Sequence, residues 1–302
     1  MGLEIKILDL GDIELEASFL VLAHGCGTKA KVPTFGYLIL GGEEPVLVDT
    51  GFRDPEIMQN LGMEATVTGE QGLDKQRAKF GLQKPEVRWI VHTHLHIDHA
   101  GKDHEFPLDT TTVVVNRREL EYSVSGIMGE QYPADYVKHL VDRLHAPGSL
   151  RLLDLDLSGP DEIIPGVTCE VAGGHTEGSM NVLVETDDGV ACICGDVIYD
   201  INNQLVDAFH QVLLDEAQTT GNQGTSKREE KAAIRKALNS GRFLMPMHDR
   251  PALVERARVV GRLLESVPGP AIAVQDFPGP TTAEIEARVA HRSEAVQEPL
   301  SA

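Results

Sequence analysis

Four histidines and an aspartate stand within eight positions in His92-Thr93-His94-Leu95-His96-Ile97-Asp98-His99, directly after the apolar run Val87-Arg88-Trp89-Ile90-Val91. Imidazoles and carboxylates are costly to bury unpaired, so this density makes a poor core and a good ligand cluster. In the pattern H-x-H-x-D-H, His94 and His96 alternate and can face one side, while Asp98 and His99 follow the turn and can reach a second point close by. The spacing implies two metal ions. Three further candidates follow strand-like runs: His175 in Gly174-His175-Thr176, Asp196 in Gly195-Asp196, and His248 in Pro246-Met247-His248-Asp249. Strand ends facing one cleft are where a sheet scaffold holds side chains in fixed places. Five imidazoles and two carboxylates form a borderline nitrogen and oxygen set that suits zinc, and also iron, manganese or cobalt. His92 reads as a hydrogen-bond partner behind the ligands rather than as one of them. His104, His139, His145, His210 and His291 have no partner pattern and are read as structural.

The elements that must position these groups are mostly short strands. Turn signals and β-branched runs predict strands at Glu4 to Leu8, Glu16 to Ala23, Gly36 to Leu40, Pro45 to Val48, Val87 to Val91, Thr111 to Val115, Leu150 to Leu155, Val167 to Val171, Met180 to Glu185 and Val190 to Ile193. Arg117 to about Leu144 is predicted mostly helical, broken at Gly126, Gly129 and Pro133. The capping box Ser226-Lys227-Arg228-Glu229 opens a helix with an apolar face of Ala233, Ile234, Ala237 and Leu238, ended by Gly241. A short strand at Arg242 to Met247, a second helix from Pro251 to about Val267 and a last strand at Ala271 to Val274 are expected after it. Sheets covered by helices follow from this order.

Composition bounds the rest. The 302 residues, 41% hydrophobic and 25% charged, suffice for one self-sufficient core, expected over residues 1–280 with a polar tail over 281–302. With 27 basic and 47 acidic residues the formal net charge is −20, which repels polyanions and disfavours nucleic acid as a partner. The basic residues Lys227, Arg228, Lys231, Arg235 and Lys236 are interrupted by Glu229 and Glu230 and read as a solvated helix face. Cys26, Cys169, Cys192 and Cys194 form no C-x-x-C, which fits a reducing cytoplasmic compartment. Neither a leader-like start nor a long uncharged apolar run signals export or a membrane partner. Oligomeric state is not legible; a homodimer stays open.

The order of H-x-H-x-D-H, His175, Asp196 and His248, together with Val46-Leu47-Val48-Asp49-Thr50-Gly51, resembles the metallo-β-lactamase superfamily over roughly residues 35 to 250. The resemblance implies an α/β, four-layer αββα sandwich with a binuclear site at the edge of the two sheets. It implies that His94, His96 and His175 hold one metal and Asp98, His99 and His248 the other. Asp196 would bridge both, together with a water or hydroxide that serves as the nucleophile. The cysteine ligand of the best-known class of true β-lactamases has no counterpart, since Cys194 falls two residues before Asp196. Tyr199 in Gly195-Asp196-Val197-Ile198-Tyr199 is similar to the tyrosine that contacts the substrate carbonyl in N-acyl-homoserine lactonases. Asn116 to Glu121 and Pro246 to Asp249 are also similar to that group. The implied function is metal-dependent opening of a small-molecule lactone or ester, with Tyr199 on the carbonyl oxygen and Asp98 as proton carrier. A glyoxalase II-like thiolester hydrolase is the alternative; it needs basic residues near the pocket, which the helix from Ser226 could supply. The apolar-D-T-G run also fits an aspartic protease, but Asp109-Thr110-Thr111 lacks the glycine of the required second copy.

Overall fold

The computed structural model describes residues 2–206, 217–222 and 224–277. Val46-Leu47-Val48, Ile90-Val91 and Val113-Val114-Val115 are continuous apolar runs, the pattern of strands buried on both faces. They lie side by side and parallel in the middle of an eight-stranded sheet. Its order is Ser266–Val267, Glu4–Glu16, Lys29–Leu40, Val46–Val48, Trp89–Val91, Thr112–Asn116 and Leu150–Leu153, with Glu64–Thr66 paired to Glu4–Glu16. A second eight-stranded sheet runs Ala271–Ala273, Arg258–Leu263, Ala252–Glu255, Phe243–Pro246, Gly189–Gly195, Met180–Thr186, Val167–Val171 and Asp161–Ile164.

Because strand side chains alternate, each sheet has an inner and an outer apolar face. Val48, Val91 and Val114 meet Val167, Val182, Ile193 and Met245 between the sheets. On the outer face of the first sheet Leu47, Ile90, Val113 and Val115 pack with Tyr132, Tyr136 and Leu140, which brings the helix Ala134–Leu144 onto it. On the outer face of the second, Cys192, Cys194 and Leu244 pack with Ala233, Ile234 and Ala237 of the helix Lys227–Ser240, which Ser226 caps by accepting from the Glu229 amide. The result is the expected αββα layering. Parallel pairing also decides where the chemistry lies. Val46–Val48 and Trp89–Val91 end together, so Asp49 and His92 emerge side by side. Gly189–Gly195 and Phe243–Pro246 end together, so Asp196 and His248 do too.

Two expectations are corrected. Glu16 to Ala23 is not a strand: the first strand runs on to Glu16, whose carboxylate accepts from the Ser18 amide and caps a 3-10 turn at Ala17–Phe19. The second strand correspondingly begins at Lys29 and pairs along the whole first one. Pro251 to Val267 is not a helix but a hairpin, Ala252–Glu255 with Arg258–Leu263, followed by the short strand Ser266–Val267. Its turn residues Arg256 and Ala257 both take positive φ, 52° and 58°, without the Gly or Asn that normally signals such a turn. The strand Asp161–Ile164 was not foreseen, being short and without alternation. The expected tail at 281–302, together with His210 and His291, lies outside the described residues.

Candidate metal centre

The structure brings all seven candidate ligands together in two buried groups, His94, His96 and His175 in one and Asp98, His99, Asp196 and His248 in the other. In the first, His94 Nε2, His96 Nδ1 and His175 Nε2 stand 3.0–3.1 Å from one another. Burial and the neighbouring histidines hold the His94 and His96 imidazoles well below their ordinary pKa, and burial takes His175 down to about 4, so three neutral rings converge. In the second, His99 Nε2 and His248 Nε2 lie 3.1 and 3.3 Å from Asp196 Oδ1, and Asp98 Oδ2 is 3.2 Å from His248 Nε2. The other oxygen of Asp196 turns to the first group, 3.9 Å from His94 and 3.6 Å from His175. One carboxylate therefore spans the two.

The donor set fits a pair of divalent ions on an observation internal to the protein. On the convergent side, Asp196 Oδ1 and His99 Nε2 face each other at 3.1 Å yet are buried without a hydrogen bond of good geometry, an arrangement that costs about 1–3 kcal/mol per group unless something else satisfies it. Electrostatics agree. Burial disfavours the charged form of His248, but Asp196 and then Asp98 outweigh it and push the ring up to about 10; His99 is raised by the same carboxylates and Asp49. Burial raises the Asp196 carboxyl, yet His248 and His99 hold it well below the usual carboxylate range. The second group thus calls for positive charge between its carboxylates. His94, His96 and His175 could hold one ion, Asp98, His99 and His248 another, with Asp196 shared.

Behind the candidate ligands stand groups whose roles, His92 apart, were not foreseen. Asp49, held at a positive φ of 58°, accepts from Thr93 N at 2.9 Å and Thr93 Oγ1 at 2.7 Å and pairs with His99 Nδ1 at 2.9 Å. It thereby aims His99 Nε2 at Asp196. The motif D-T-G was visible in the sequence, but its use as an orienting group was not. His248 Nδ1 is fixed in the same manner on the Pro33 carbonyl at 3.0 Å. His92, as expected, is not among the convergent groups: it lies 3.5 Å from Asp49 and 3.2 Å from Asp103, which also takes His139 at 3.2 Å. Burial opposes charge on His92, but Asp103 and Asp49 raise it to about 9.

Glu119 falls in the lactonase-like segment Asn116 to Glu121, but its role was not foreseen, because a glutamate in a polar helix start reads as solvated. Its buried carboxylate accepts from Leu95 N at 2.9 Å, Thr176 Oγ1 at 2.6 Å and Tyr132 Oη at 2.9 Å. It ties the loop of His94 and His96 to the loop of His175. The close approach requires glycine at 178, where a Cβ would fall 2.1 Å from the Glu119 nitrogen. Glu119→Ala is expected to weaken binding in the three-histidine group about 10- to 100-fold, whereas Glu119→Gln, which keeps an acceptor, is expected to lose less. Competition with a chromophoric chelator measures both; unchanged affinity in Glu119→Ala would contradict the role.

Tyr199 lies over the pair of groups. Its buried ring stacks on His248, centroids 5.2 Å apart and 3° between planes, and stands 5.8 Å from His175. With His96, Asp98, Asp196 and His248 it forms the polar floor of a cleft whose walls are Leu15, Leu20, Val32, Met58 and Met63 among others, the mostly apolar lining with a few convergent polar groups that small-molecule sites have.

A model of the metallo-beta-lactamase superfamily matches residues 31–244. The chain belongs to that superfamily. As a metallo-beta-lactamase superfamily hydrolase it is related to quorum-quenching lactonases. It is 27% identical over 190 residues to an N-acyl homoserine lactonase of Bacillus cereus, spanning 59% of this chain and 68% of that one. A second lactonase of the same description, from Agrobacterium fabrum, is 27% identical over 207 residues, 62% of this chain and 74% of the other. Among solved structures, a quorum-quenching N-acyl homoserine lactone hydrolase superposes with a TM-score of 0.60 at 22% identity, covering 78% of this chain and 86% of its own. A dizinc quorum-quenching lactonase in complex with the product N-hexanoyl-L-homoserine gives 0.59 at 16% identity, covering 92% and 96%. These likenesses carry the fold. No helix among the described residues is long and apolar enough to cross a membrane.

Proposed function

We propose that this protein opens a lactone, or cleaves a related carboxylic ester, with two divalent ions held by His94, His96, Asp98, His99, His175, Asp196 and His248. The observation that carries this is Tyr199, set between the two ligand groups on the polar floor of an otherwise apolar cleft. When bound, the ions supply a water of lowered pKa and a Lewis acid for the carbonyl. The chain supplies the rest. The apolar walls seat a substrate tail and exclude bulk water, so hydrogen bonds at the floor act in a low dielectric. The Tyr199 hydroxyl donates to the carbonyl oxygen as negative charge gathers there. Asp98, reaching the cleft beside His248, carries the proton of the attacking water to the leaving alkoxide as the ring C–O bond breaks. Water's oxygen ends on the acyl carbon, and the product is a hydroxy acid.

Lactone is favoured over a glutathione-type thiolester by charge. Among the described residues lining the cleft there is no lysine or arginine, whereas an anionic thiol carrier needs cations to receive it. Of the basic residues of the helix Lys227–Ser240, Lys236 turns to Glu170 and the Val171 carbonyl, and none is among the residues lining the cleft. Turnover of N-hexanoyl-homoserine lactone should therefore exceed that of S-lactoylglutathione by a factor of about 100 or more in kcat/KM, about 2.7 kcal/mol of transition-state discrimination. Tyr199→Phe is expected to lower kcat on the lactone about 10- to 100-fold with little change in KM. Steady-state kinetics on both substrates checks each; preference for the thiolester, or a Tyr199→Phe variant with full kcat, would count against the proposal.

A further inference from the structure

We propose that Asn222 is a positioning residue for this reaction, its side-chain amide holding the Tyr199 phenol so that the phenolic proton is directed into the cleft. The inference rests on the proposed role of Tyr199. Asn222 Nδ2 donates to Tyr199 Oη at 3.2 Å, and both side chains line the cleft. A phenol has one proton to give and lone pairs that accept. Because the amide nitrogen can only donate, its bond occupies a lone pair and leaves the O–H turned to the cleft side, where Asp196 accepts it and a substrate carbonyl oxygen can take its place. Stacking on His248 already fixes the ring, so the remaining freedom is rotation of the hydroxyl hydrogen, and the Asn222 amide on one side and the Asp196 carboxylate on the other settle it. A donor on the phenol oxygen also strengthens the phenol as a donor in turn.

Asn222 is itself held firmly. Its backbone nitrogen and that of Gly221 donate to the Phe19 carbonyl at 3.1 and 3.0 Å, and Leu22 N donates to Thr219 O at 3.0 Å. Thr220 N is bound by the Glu230 carboxylate at 3.1 Å. Gly221 allows the approach, since a Cβ there would lie 1.6 Å from the Ser18 carbonyl oxygen. The segment is thus clamped between the turn after the first strand and the helix Lys227–Ser240, with the amide presented at a fixed place. Sequence gave no hint of this, because a lone asparagine beside glycine reads as a turn residue.

The test is a double-mutant cycle on zinc-loaded protein with N-hexanoyl-homoserine lactone, comparing wild type, Asn222→Ala, Tyr199→Phe and the double variant at equal metal content. Asn222→Ala is expected to lower kcat about tenfold with KM within about twofold, and to change kcat by less than about twofold once Tyr199 is Phe. Asn222→Asp, whose carboxylate accepts the phenolic proton, is expected to fall below Asn222→Ala. Equal losses in both backgrounds would overturn the inference and leave Tyr199 in its role; wild-type turnover in Tyr199→Phe would remove both. A second readout needs no substrate. With 3-fluorotyrosine at the five tyrosines, the fluorine resonance absent from Tyr199→Phe identifies residue 199, and Asn222→Ala should shift that resonance and not the others. An unmoved resonance would overturn the inference independently of activity.

Discussion

Asp196→Ala should lose more than a thousandfold in kcat, which is over about 4 kcal/mol of transition-state stabilisation, and should bind less than one metal ion per chain. The reason is its position. One carboxylate oxygen faces His94 and His175 at 3.9 and 3.6 Å, the other faces His99 and His248 at 3.1 and 3.3 Å. Truncation therefore removes a ligand from both groups at once and leaves two imidazoles, raised in pKa chiefly by this carboxylate, without their counter-charge. An outer group such as Glu119 acts on one side only, so its loss is expected to be smaller. Kinetics with metal analysis of the same sample distinguishes the cases. A variant within tenfold of wild type, or one that retains two ions, would contradict the shared role of Asp196.

Removal of metal should cost stability as well as activity. The buried donors without partners are compatible with a folded chain only at an energetic cost, and ions that bind the folded form alone stabilise it by about 4 kcal/mol per site when present at a thousand times Kd. Two sites would then contribute about 8 kcal/mol, and at about 2–4 °C per kcal/mol for a chain somewhat shorter than this one, chelation is expected to lower Tm by more than about 10 °C. Readdition of zinc should restore it. Superimposable melting curves before and after chelation, in protein shown to have lost its metal, would mean that the cluster tolerates its own repulsions. The ligand assignment would then be wrong.

The convergence of the seven groups was legible because the chemistry is local: H-x-H-x-D-H packs four ligands into six positions, and the three distal ones each follow a strand whose apolar run is plain. The layer order followed from the resemblance and from strands that alternate or run fully apolar. What escaped reading depends on tertiary approach. Glu119 is buried only because Gly178 lets its helix touch the His175 loop. Asp49 sits in a motif that also occurs in an unrelated chemistry, and its partner His99 lies fifty residues away. The hairpin at Ala252–Leu263 carries no turn signature, since Arg256 and Ala257 adopt positive φ under tertiary constraint. Leu15, Leu20, Val32, Met58 and Met63, which wall the cleft, cannot be told from core residues by type or period.

The most direct measurement is a titration of chelated, metal-free protein with zinc while the opening of N-hexanoyl-homoserine lactone is followed. The expected result is negligible turnover without metal and a rise that reaches its plateau near two equivalents per chain. Lactone opening by the metal-free protein, or full loading with no opening of any lactone or ester, would contradict the account.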